Sequence, residues 1–276
     1  MKKLSVVIIT FNEEKNISKC LASVQDIADE ILVVDSFSTD KTRDICTSYN
    51  ARFLQKKFEG YRDQKNFANS QARYDYILSL DADEVLSSAL KEAIKKEKEN
   101  DFEFDIYSFN RLNFFCGKAI RHGGWYPDRK IRLWRKNKAK WSGNNLHEII
   151  ETEKETSQKH LNADLLHYSF SSVNQHIAQV NTFSDMKAKL DFEAGKSSGI
   201  LKIISLPLIK FFLLYFFKLG FLDGYYGLII AINSAHFTFL RYVKLHQLKN
   251  SKSNSQSGNI HSQQPAHFKT NKEIKR

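Results

Sequence analysis

Residues 76–84 combine a short apolar run with three acidic residues at its end. The run at residues 76–80 has the length and composition of a buried β-strand, and Asp81, Asp83 and Glu84 follow it. In open α/β sheets ligands bind outside the carboxyl ends of the strands, where these acids would lie. Residues two apart in an extended segment project to the same side, so Asp81 and Asp83 would repel each other without a cation. Mg²⁺ and Mn²⁺ prefer such oxygen ligands; a solvated turn that starts a helix is the alternative interpretation.

Strand-like and helix-like patterns alternate through the N-terminal half of the chain. β-Branched and apolar runs predict strands at residues 4–10, 30–34, 51–54 and 76–80. Apolar residues at helical spacing predict helices between these strands, with Asn12 as the cap of the first. The alternation predicts an α/β fold, a doubly wound, mostly parallel sheet flanked by helices and joined by right-handed crossovers.

Polar side chains follow the carboxyl ends of three predicted strands. Asn12 and Glu13 follow the first strand, and Asp35 follows the second. Because parallel strands end at the same edge of a sheet, we expect these residues to converge with Asp81 and Asp83. The chain contains neither G-x-G-x-x-G nor G-x-x-x-x-G-K-[ST], the two glycine loops that hold phosphates. A classical dinucleotide site and a P-loop are therefore not expected, but a nucleotide could still be held by carboxylates on its base and ribose and by a metal ion on its diphosphate.

The positive charge of the chain is concentrated in its C-terminal third. The whole chain carries 42 Lys and Arg against 31 Asp and Glu, a formal net charge of +11. Residues 1–195 account for +1 and residues 196–276 for +10. Since the basic region coincides with the most apolar stretch, it indicates an anionic membrane surface as partner and no nucleic acid.

The apolar C-terminal stretch is predicted to associate with a membrane. Residues 200–217 are nearly all apolar, but Lys210 at their centre would make a full span costly. A helix lying in the interface, with its lysines reaching lipid phosphates, fits this pattern better. A second apolar block at residues 219–240 allows a membrane-embedded hairpin, and a buried helical pair of a soluble domain is the alternative. From residue 249 onward the composition predicts a disordered tail.

Other side chains of metal-binding type are interpreted as structural. The three cysteines are dispersed and form no C-x-x-C pair, which argues against a zinc site or disulfide framework and fits a reducing compartment. Residues 160–193 show helical spacing, and His167 and His176 within them are expected to be satisfied or exposed histidines.

Five segments of residues 1–150 carry a resemblance to a known family. They are Val6-Val7-Ile8-Ile9-Thr10-Phe11-Asn12-Glu13, Ile31 through Asp40, Gln64-Lys65-Asn66-Phe67-Ala68, Asp81-Ala82-Asp83-Glu84 and Tyr126-Pro127-Asp128 through Leu133. In this order they resemble the family 2 glycosyltransferases of the GT-A fold. Leu146-His147-Glu148 and the apolar C-terminal region are most similar to the bacterial lipopolysaccharide core glucosyltransferases, which act on inner-core heptose.

The resemblance implies roles for individual residues. The residues expected to bind the nucleotide sugar are Thr10, Asn12, Glu13, Asp35, Lys65 and Asp81. Asp83 is expected to bind a divalent metal, Mg²⁺ or Mn²⁺, with Asp81 and His147 as further metal ligands. The family inverts the anomeric carbon by direct displacement, so a single general base suffices. Glu148 is the favoured base and Asp128 the other candidate.

The resemblance also implies a function and a domain organisation. The expected activity is transfer of a hexose, with UDP-glucose as the expected donor, to a lipid-linked saccharide such as lipopolysaccharide inner-core heptose. The protein is expected at the cytoplasmic face of the inner membrane, as a peripheral or monotopic protein. The expected divisions are a catalytic domain (1–155), a helical acceptor-side segment (156–198), membrane-associating helices (199–248) and a tail (249–276). The alternatives are a polyprenyl-phosphate hexosyltransferase, a transferase for another cell-surface glycan and a non-catalytic membrane-binding module.

Overall fold

The computed structural model describes residues 2–144 and 147–258, apart from the side chains of Asn144, His147 and residues 252–258. The chain divides into two compact units. The first consists of Met1–His176 and Phe212–Ala231, and the second of Ile177–Phe211 and Ile232–Arg276. The first unit contains the sheet and every contact of the site described below.

The first unit is built from eleven described strands and four helices. The strands are β1 (Leu4–Thr10), β2 (Glu30–Asp35), β3 (Arg52–Gln55), β4 (Tyr76–Asp81), β5 (Glu84–Leu86), β6 (Ile106–Phe115), β7 (Lys118–Ala119), β8 (Asp128–Arg135), β9 (Ala139–Asn144), β10 (His147–Thr152) and β11 (Gln158–Phe170). The helices are α1 (Ile17–Val24), α2 (Thr42–Ser48), α3 (Tyr61–Ser70) and α4 (Ser88–Glu99).

One mixed sheet of nine strands organises the first unit. Its order is β3-β2-β1-β4-β8-β6-β11-β5, with β7 attached to β6. The four N-terminal strands run parallel, as the alternation of strand and helix predicts. Strand β8 then pairs antiparallel with both β4 and β6. A separate hairpin of β9 and β10 completes the described strands. The predicted α/β sheet flanked by helices is confirmed.

The central strands are buried on both faces because alternate side chains enter two different cores. Val6 and Ile8 of β1 pack with α1 and α4 on one face of the sheet. Val7 and Ile9 pack on the other face, against Ala68 of α3. Continuous β-branched runs fit this arrangement, since neither face meets water. Helix α3 is thereby fixed across the carboxyl end of the sheet, where it delivers its polar side chains.

Two predictions about the C-terminal half are wrong in part. Residues 158–170, predicted as part of a helical segment, form the long strand β11, which pairs parallel with β6 and antiparallel with β5. Partners on both sides and the burial of Leu161 and Leu165 outweigh the local helical spacing. The predicted tail is helical as far as Gly258, and its remaining residues, 259–276, lie outside the described part of the chain.

The chain continues from β11 into three long helices joined by short irregular turns. The helices are α5 (Val173–Glu193), α6 (Ile200–Phe212) and α7 (Gly224–Gly258). Between α6 and α7 lie a π-helical turn, Leu213–Phe217, and a 3₁₀ turn, Gly220–Asp223. In the described chain, one stretch, Ile200–Phe217, is long and apolar enough to cross a membrane by length and composition. Association of residues 199–248 with a membrane stays a prediction.

Candidate active site

The strand ends that carry polar residues meet at one edge of the sheet. Thr10 of β1 stands beside Asp35 of β2, and Ile9 of β1 stands beside Asp81 of β4. The predicted convergence is therefore confirmed at the level of the backbone. The Thr10 hydroxyl is buried and has no hydrogen-bond partner in the described structure, which leaves it available to a ligand at this edge.

Asp35 and Asn12 shape the loops at the first two strand ends. The Asp35 carboxylate accepts hydrogen bonds from the amide and hydroxyl of Ser38 and from Gln55 Nε2, at 3.2 Å for the last. Asn12 has a left-handed backbone (φ 53°), and its Oδ1 accepts the Thr39 amide proton at 2.9 Å. Asn12 is therefore not the predicted helix cap, since α1 begins only at Ile17. Both side chains brace loops at the edge where their sequence position predicts a nucleotide.

Lys65 of α3 connects two acidic side chains from distant parts of the chain. Its buried ammonium lies 3.1 and 3.2 Å from the carboxylate oxygens of Asp81 and 2.9 Å from Glu148 Oε2. The Trp141 ring covers the ammonium, with its centroid 4.3 Å from Nζ. Asn66 fixes the hairpin that carries Trp141 and Glu148, since its amide bonds to both the backbone N–H and the carbonyl of Trp141.

Arg132 and Glu84 form a buried ion pair beneath Asp81. Arg132 Nη2 lies 2.6 Å from Glu84 Oε1 and 3.1 Å from Asp81 Oδ2. Glu84 Oε2 also accepts the Asp81 amide proton, at 3.1 Å. Burial by itself raises the pKa of Asp81, but the positive charges of Lys65 and Arg132 outweigh it and hold that pKa well below its usual range. Asp81 is thus an ionised, pre-positioned carboxylate.

Asp83 faces a histidine, His167, for which the sequence predicted a structural role. The turn after β4 directs Asp83 away from the Lys65 contacts of Asp81, so the two carboxylates have separate partners despite their spacing. Pairing of β11 with β5 places His167 opposite Glu84, and His167 Nε2 lies 3.3 Å from Asp83 Oδ2. His167 Nδ1 lies 2.7 Å from Asn113 Oδ1.

The hydrogen bonds around His167 fit a metal ion between it and Asp83. Asn113 Nδ2 donates to the carbonyl of Trp125, at 3.3 Å, and Asn113 Oδ1 and Ser169 Oγ lie 2.7 and 2.9 Å from His167 Nδ1. His167 Nε2 is the ring nitrogen that faces the Asp83 carboxylate, and this nitrogen and a carboxylate oxygen could together hold a shared divalent ion. The described residues contain no group of three or more His, Cys, Asp or Glu side chains that could hold a metal ion. Mg²⁺ is commonly held by one or two carboxylates together with substrate phosphates and water.

Glu13 lies at the same edge of the sheet, and the charges of Asp83 and Asp81 affect its pKa. Desolvation by burial raises the pKa of Glu13 above its ordinary value, the hydrogen bond from Asn16 lowers it, and the nearby charges of Asp83, Asp40 and Asp81 raise it further. A cation at Asp83 would remove part of this repulsion. Glu13 therefore belongs electrostatically to the Asp83 side of the site.

The remaining sequence-predicted residues divide between the site and its surroundings. Asp128 pairs with Arg111 at 2.8 Å and with Lys130 at 2.9 Å, and Arg111 reaches Glu84 at 3.7 Å. Asp128 is therefore linked to the buried Arg132–Glu84 pair only through Arg111, whereas Glu148 contacts Lys65 directly. The side chain of His147, predicted as a metal ligand, lies outside the described residues.

Carboxylates, a buried lysine and a histidine lie together at the carboxyl edge of this α/β sheet. Such a cluster is typical of the ligand site of an enzyme. Residues 5–161 match the family model for Glycosyl transferase family 2, and the chain belongs to that family. It is a glycosyltransferase, and the GT-A fold implied by its sequence motifs is confirmed.

Relatives along nearly the whole chain carry the same description. An uncharacterized glycosyltransferase of Rickettsia bellii (strain RML369-C) is 33% identical over 257 residues, covering 90% of this chain and 87% of that protein. The lipopolysaccharide core biosynthesis glycosyltransferase LpsC of Rhizobium meliloti (strain 1021) is 32% identical over 250 residues, covering 88% and 92%.

Similarity to solved structures is more distant. Staphylococcus aureus TarS is 16% identical, with 79% of this chain and 45% of that chain covered and a TM-score of 0.39. Glucosyl-3-phosphoglycerate synthase from Mycobacterium tuberculosis, solved with Mn²⁺, UDP and glucosyl-3-phosphoglycerate, is 19% identical, with 41% and 44% covered and a TM-score of 0.34. The chain spans less than half of either protein, and we base the family assignment on the family model and the curated relatives alone.

Proposed function

We propose that this glycosyltransferase transfers a hexose from a nucleotide sugar, with UDP-glucose as the expected donor, to a lipid-linked saccharide. The observation that carries the proposal is the pairing of Asp83 with His167 beside the ionised Asp81–Lys65–Glu148 cluster. A carboxylate and an imidazole nitrogen are ligands for a divalent ion, and the lysine adds a positive charge where a diphosphate would lie. No glycine loop in the sequence offers another way to hold phosphates.

The donor would bind across the ends of β1, β2 and β4. Thr10 offers an unused buried hydroxyl, and Asn12, Glu13 and Asp35 line or brace the loops that would surround the base and ribose. Asp81, held by Lys65 and Arg132, would accept from the ribose. Mg²⁺ or Mn²⁺ held by Asp83 and His167 would supply charge neutralisation for the departing nucleoside diphosphate.

Glu148 is the proposed general base. The acceptor hydroxyl is a weak nucleophile, so a carboxylate has to remove its proton as the new glycosidic bond forms. Glu148 is only partly exposed and is held by Lys65, whose ammonium also contacts Asp81 on the donor side. This geometry supports Glu148 over Asp128, because Glu148 shares Lys65 with Asp81 whereas Asp128 pairs with Arg111 and Lys130.

A lipid-linked acceptor is the proposed partner, with the lipopolysaccharide core as the expected case. LpsC of Rhizobium meliloti is named for lipopolysaccharide core biosynthesis, and the chain carries an apolar stretch beside its most basic region. Both support a peripheral or monotopic location on the cytoplasmic face of the inner membrane. Transfer to a polyprenyl phosphate or to another surface glycan is the second candidate, favoured by the same stretch.

A donor screen tests the proposal. Purified full-length protein is incubated with a panel of nucleotide sugars, with Mg²⁺, with Mn²⁺ or with EDTA, and release of the nucleoside diphosphate is measured. We expect release from one UDP-hexose that requires the metal and falls by about 10²-fold or more in Asp83→Asn and His167→Gln. Asp26→Asn, a surface aspartate paired with Lys91, serves as the control. Metal-independent release, or full activity in Asp83→Asn, would contradict the metal assignment.

A further inference from the structure

An exposed apolar segment of the first unit lies directly against the loop that leads into β8. Within residues 216–225, six large apolar side chains are exposed: Phe216, Phe217, Leu219, Phe221, Leu222 and Tyr225. Contiguous apolar exposure on this scale marks an interaction site. Lys218 is exposed among them, and the C-terminal third carries almost all of the net positive charge of the chain. Apolar side chains with lysine at their border match an anionic bilayer surface.

Asp223, buried at the end of this segment, holds the neighbouring loop by its backbone. Its carboxylate accepts the amide protons of Arg121 and His122, at 3.3 and 2.8 Å, and contacts His122 Nδ1 at 3.1 Å. The carbonyl of Asp223 accepts from Lys118 Nζ at 2.9 Å. The Gly123 amide donates to the carbonyl of Lys218, at 2.8 Å. Residues 120–127 are thus fastened to the apolar segment by both charge and backbone hydrogen bonds.

The segment itself is held rigidly against the start of α7. A Cβ atom on Gly227 would lie 1.9 Å from the carbonyl oxygen of Gly220, so the two backbones pack in direct contact. Residues of positive φ flank the 3₁₀ turn at both ends: Leu219 with φ of 55° and Gly224 with φ of 64°. The position of this turn therefore fixes the position of the loop of residues 120–127, which is hydrogen-bonded to it.

The same loop reaches the metal side of the active site. The carbonyl of Trp125 accepts from Asn113 Nδ2, and Asn113 Oδ1 lies 2.7 Å from His167 Nδ1. His167 in turn faces Asp83. Contacts therefore run without a break from the exposed apolar segment, through the loop, to the proposed catalytic centre.

We propose that residues 216–225 insert into an anionic lipid bilayer and that Asp223 is a positioning residue that fastens the loop of residues 120–127 to this membrane-seated segment. The loop is then held at the bilayer surface, on the side where a lipid-linked acceptor arrives. The proposal rests on the proposed function only for the nature of that acceptor.

Insertion is tested with full-length protein and two kinds of vesicle. Sedimentation with phosphatidylethanolamine–phosphatidylglycerol vesicles is compared with phosphatidylcholine vesicles. The double variant Phe217→Glu/Leu222→Glu alters side chains that are 79% and 55% exposed, so folding is preserved. We expect it to lower partitioning by roughly 100-fold, because each apolar side chain withdrawn from lipid costs about tenfold or more. Phe183→Glu on α5, 43% exposed, should leave partitioning unchanged.

Coupling is tested by hydrogen exchange in peptides covering residues 120–127, with and without vesicles. In the wild type the His122 and Gly123 amides should exchange more slowly once vesicles bind. Asp223→Asn keeps the volume but replaces one acceptor oxygen with a donor group. This variant should bind vesicles as the wild type does, exchange about tenfold faster in this loop and show no slowing. Asp191→Asn, which alters an equally buried aspartate of the second unit, should retain the slowing.

Several outcomes would overturn the proposal. Equal sedimentation of the double variant and wild type, or equal binding to both kinds of vesicle, would exclude insertion of this segment into an anionic bilayer. A concentration-dependent dimer that masks residues 216–225 without vesicle binding would assign the surface to a second copy. Vesicle-dependent slowing retained in Asp223→Asn would exclude the fastening role. Loss of donor hydrolysis in Asp83→Asn tests the proposed function separately, since none of these readouts requires sugar transfer.

Discussion

At the scale of single residues, the site depends on which side chains contact each of its two carboxylates. Lys65 and Arg132 both contact Asp81, whereas Asp83 has His167. The spacing of Asp81 and Asp83 suggests a shared cation, but the turn between β4 and β5 gives each its own partner. One carboxylate is therefore fixed by protein charges, and the other faces His167 Nε2, a nitrogen that can serve as a metal ligand.

Replacing Glu148 by Gln tests the proposed base. Loss of the proton acceptor should lower kcat by about 10²- to 10⁴-fold with little change in the KM for the donor. Asp128→Asn is the matched comparison, because its carboxylate is held by Arg111 and Lys130 and does not contact Lys65. We expect its kcat to stay within about tenfold of wild type. The reverse ranking in steady-state kinetics would assign the base to Asp128.

Replacing Lys65 by Met tests the positive charge at the centre of the cluster. Asp81 and Glu148 then lose their shared cation, so kcat/KM should fall by about 10²-fold or more. The free energy of unfolding should fall by about 3 kcal/mol, since Arg132 still partners Asp81 and limits the loss. Lys56→Met, which removes a lysine paired with Glu59, should change neither the kinetics nor the urea midpoint. Unchanged kinetics in Lys65→Met would remove this residue from the donor site.

At the scale of secondary-structure elements, strand pairing decides which residues enter the site. The strand ends that carry Thr10, Asp35 and Asp81 could be predicted, because apolar runs and parallel topology bring them to one edge. His167 could not be predicted, because its place opposite Glu84 comes from pairing of β11 with β5, far apart in sequence. Local spacing favours a helix over β11.

Arg132 illustrates a second limit of local patterns. Basic and apolar residues alternate in residues 129–135, a pattern that is typical of a half-exposed strand. In the fold, β8 lies between β4 and β6, so Arg132 is buried against Glu84 and under the Trp141 ring. Glu84 is fully buried and its carboxylate therefore requires a cationic partner, but this burial is seen only in the fold.

The contact between Gly220 and Gly227 gives a prediction at this scale. Gly227→Ala places a methyl group 1.9 Å from a carbonyl oxygen, so the start of α7 has to move. The overpacked variant should lose about 2 kcal/mol or more of stability and release the loop of residues 120–127 to faster hydrogen exchange. Gly199→Ala, which meets no atom within 4 Å, should be neutral. Equal thermal midpoints for the two variants would show that the contact is not tight.

At the scale of the whole molecule, one buried and one half-buried histidine should make stability depend on pH. Desolvation by burial lowers the pKa of both His160 and His176 from the ordinary 6.5, with Arg129 adding to the effect at His160. The unfolded chain then binds more protons than the folded one below pH 6.5. Unfolding free energy should therefore fall as pH drops from about 7 to 5, by at most about 1.4 kcal/mol per pH unit for each histidine.

Denaturant midpoints measured across this pH range check the sign. His176→Phe, which keeps a ring among Phe115, Trp125 and Phe170, should flatten the dependence. Midpoints that rise as the pH falls would contradict the assignment of these histidines as neutral in the folded state.

The central claim is that Asp83 and His167 hold a divalent ion against the diphosphate of a UDP-sugar. A crystal structure with UDP and Mn²⁺, with anomalous data collected at the manganese edge, tests it most directly. The account predicts one anomalous peak within coordination distance of an Asp83 oxygen and His167 Nε2, with the diphosphate completing the coordination and Lys65 beside it. A peak away from this pair, or UDP bound at the edge with no manganese beside Asp83, would contradict it.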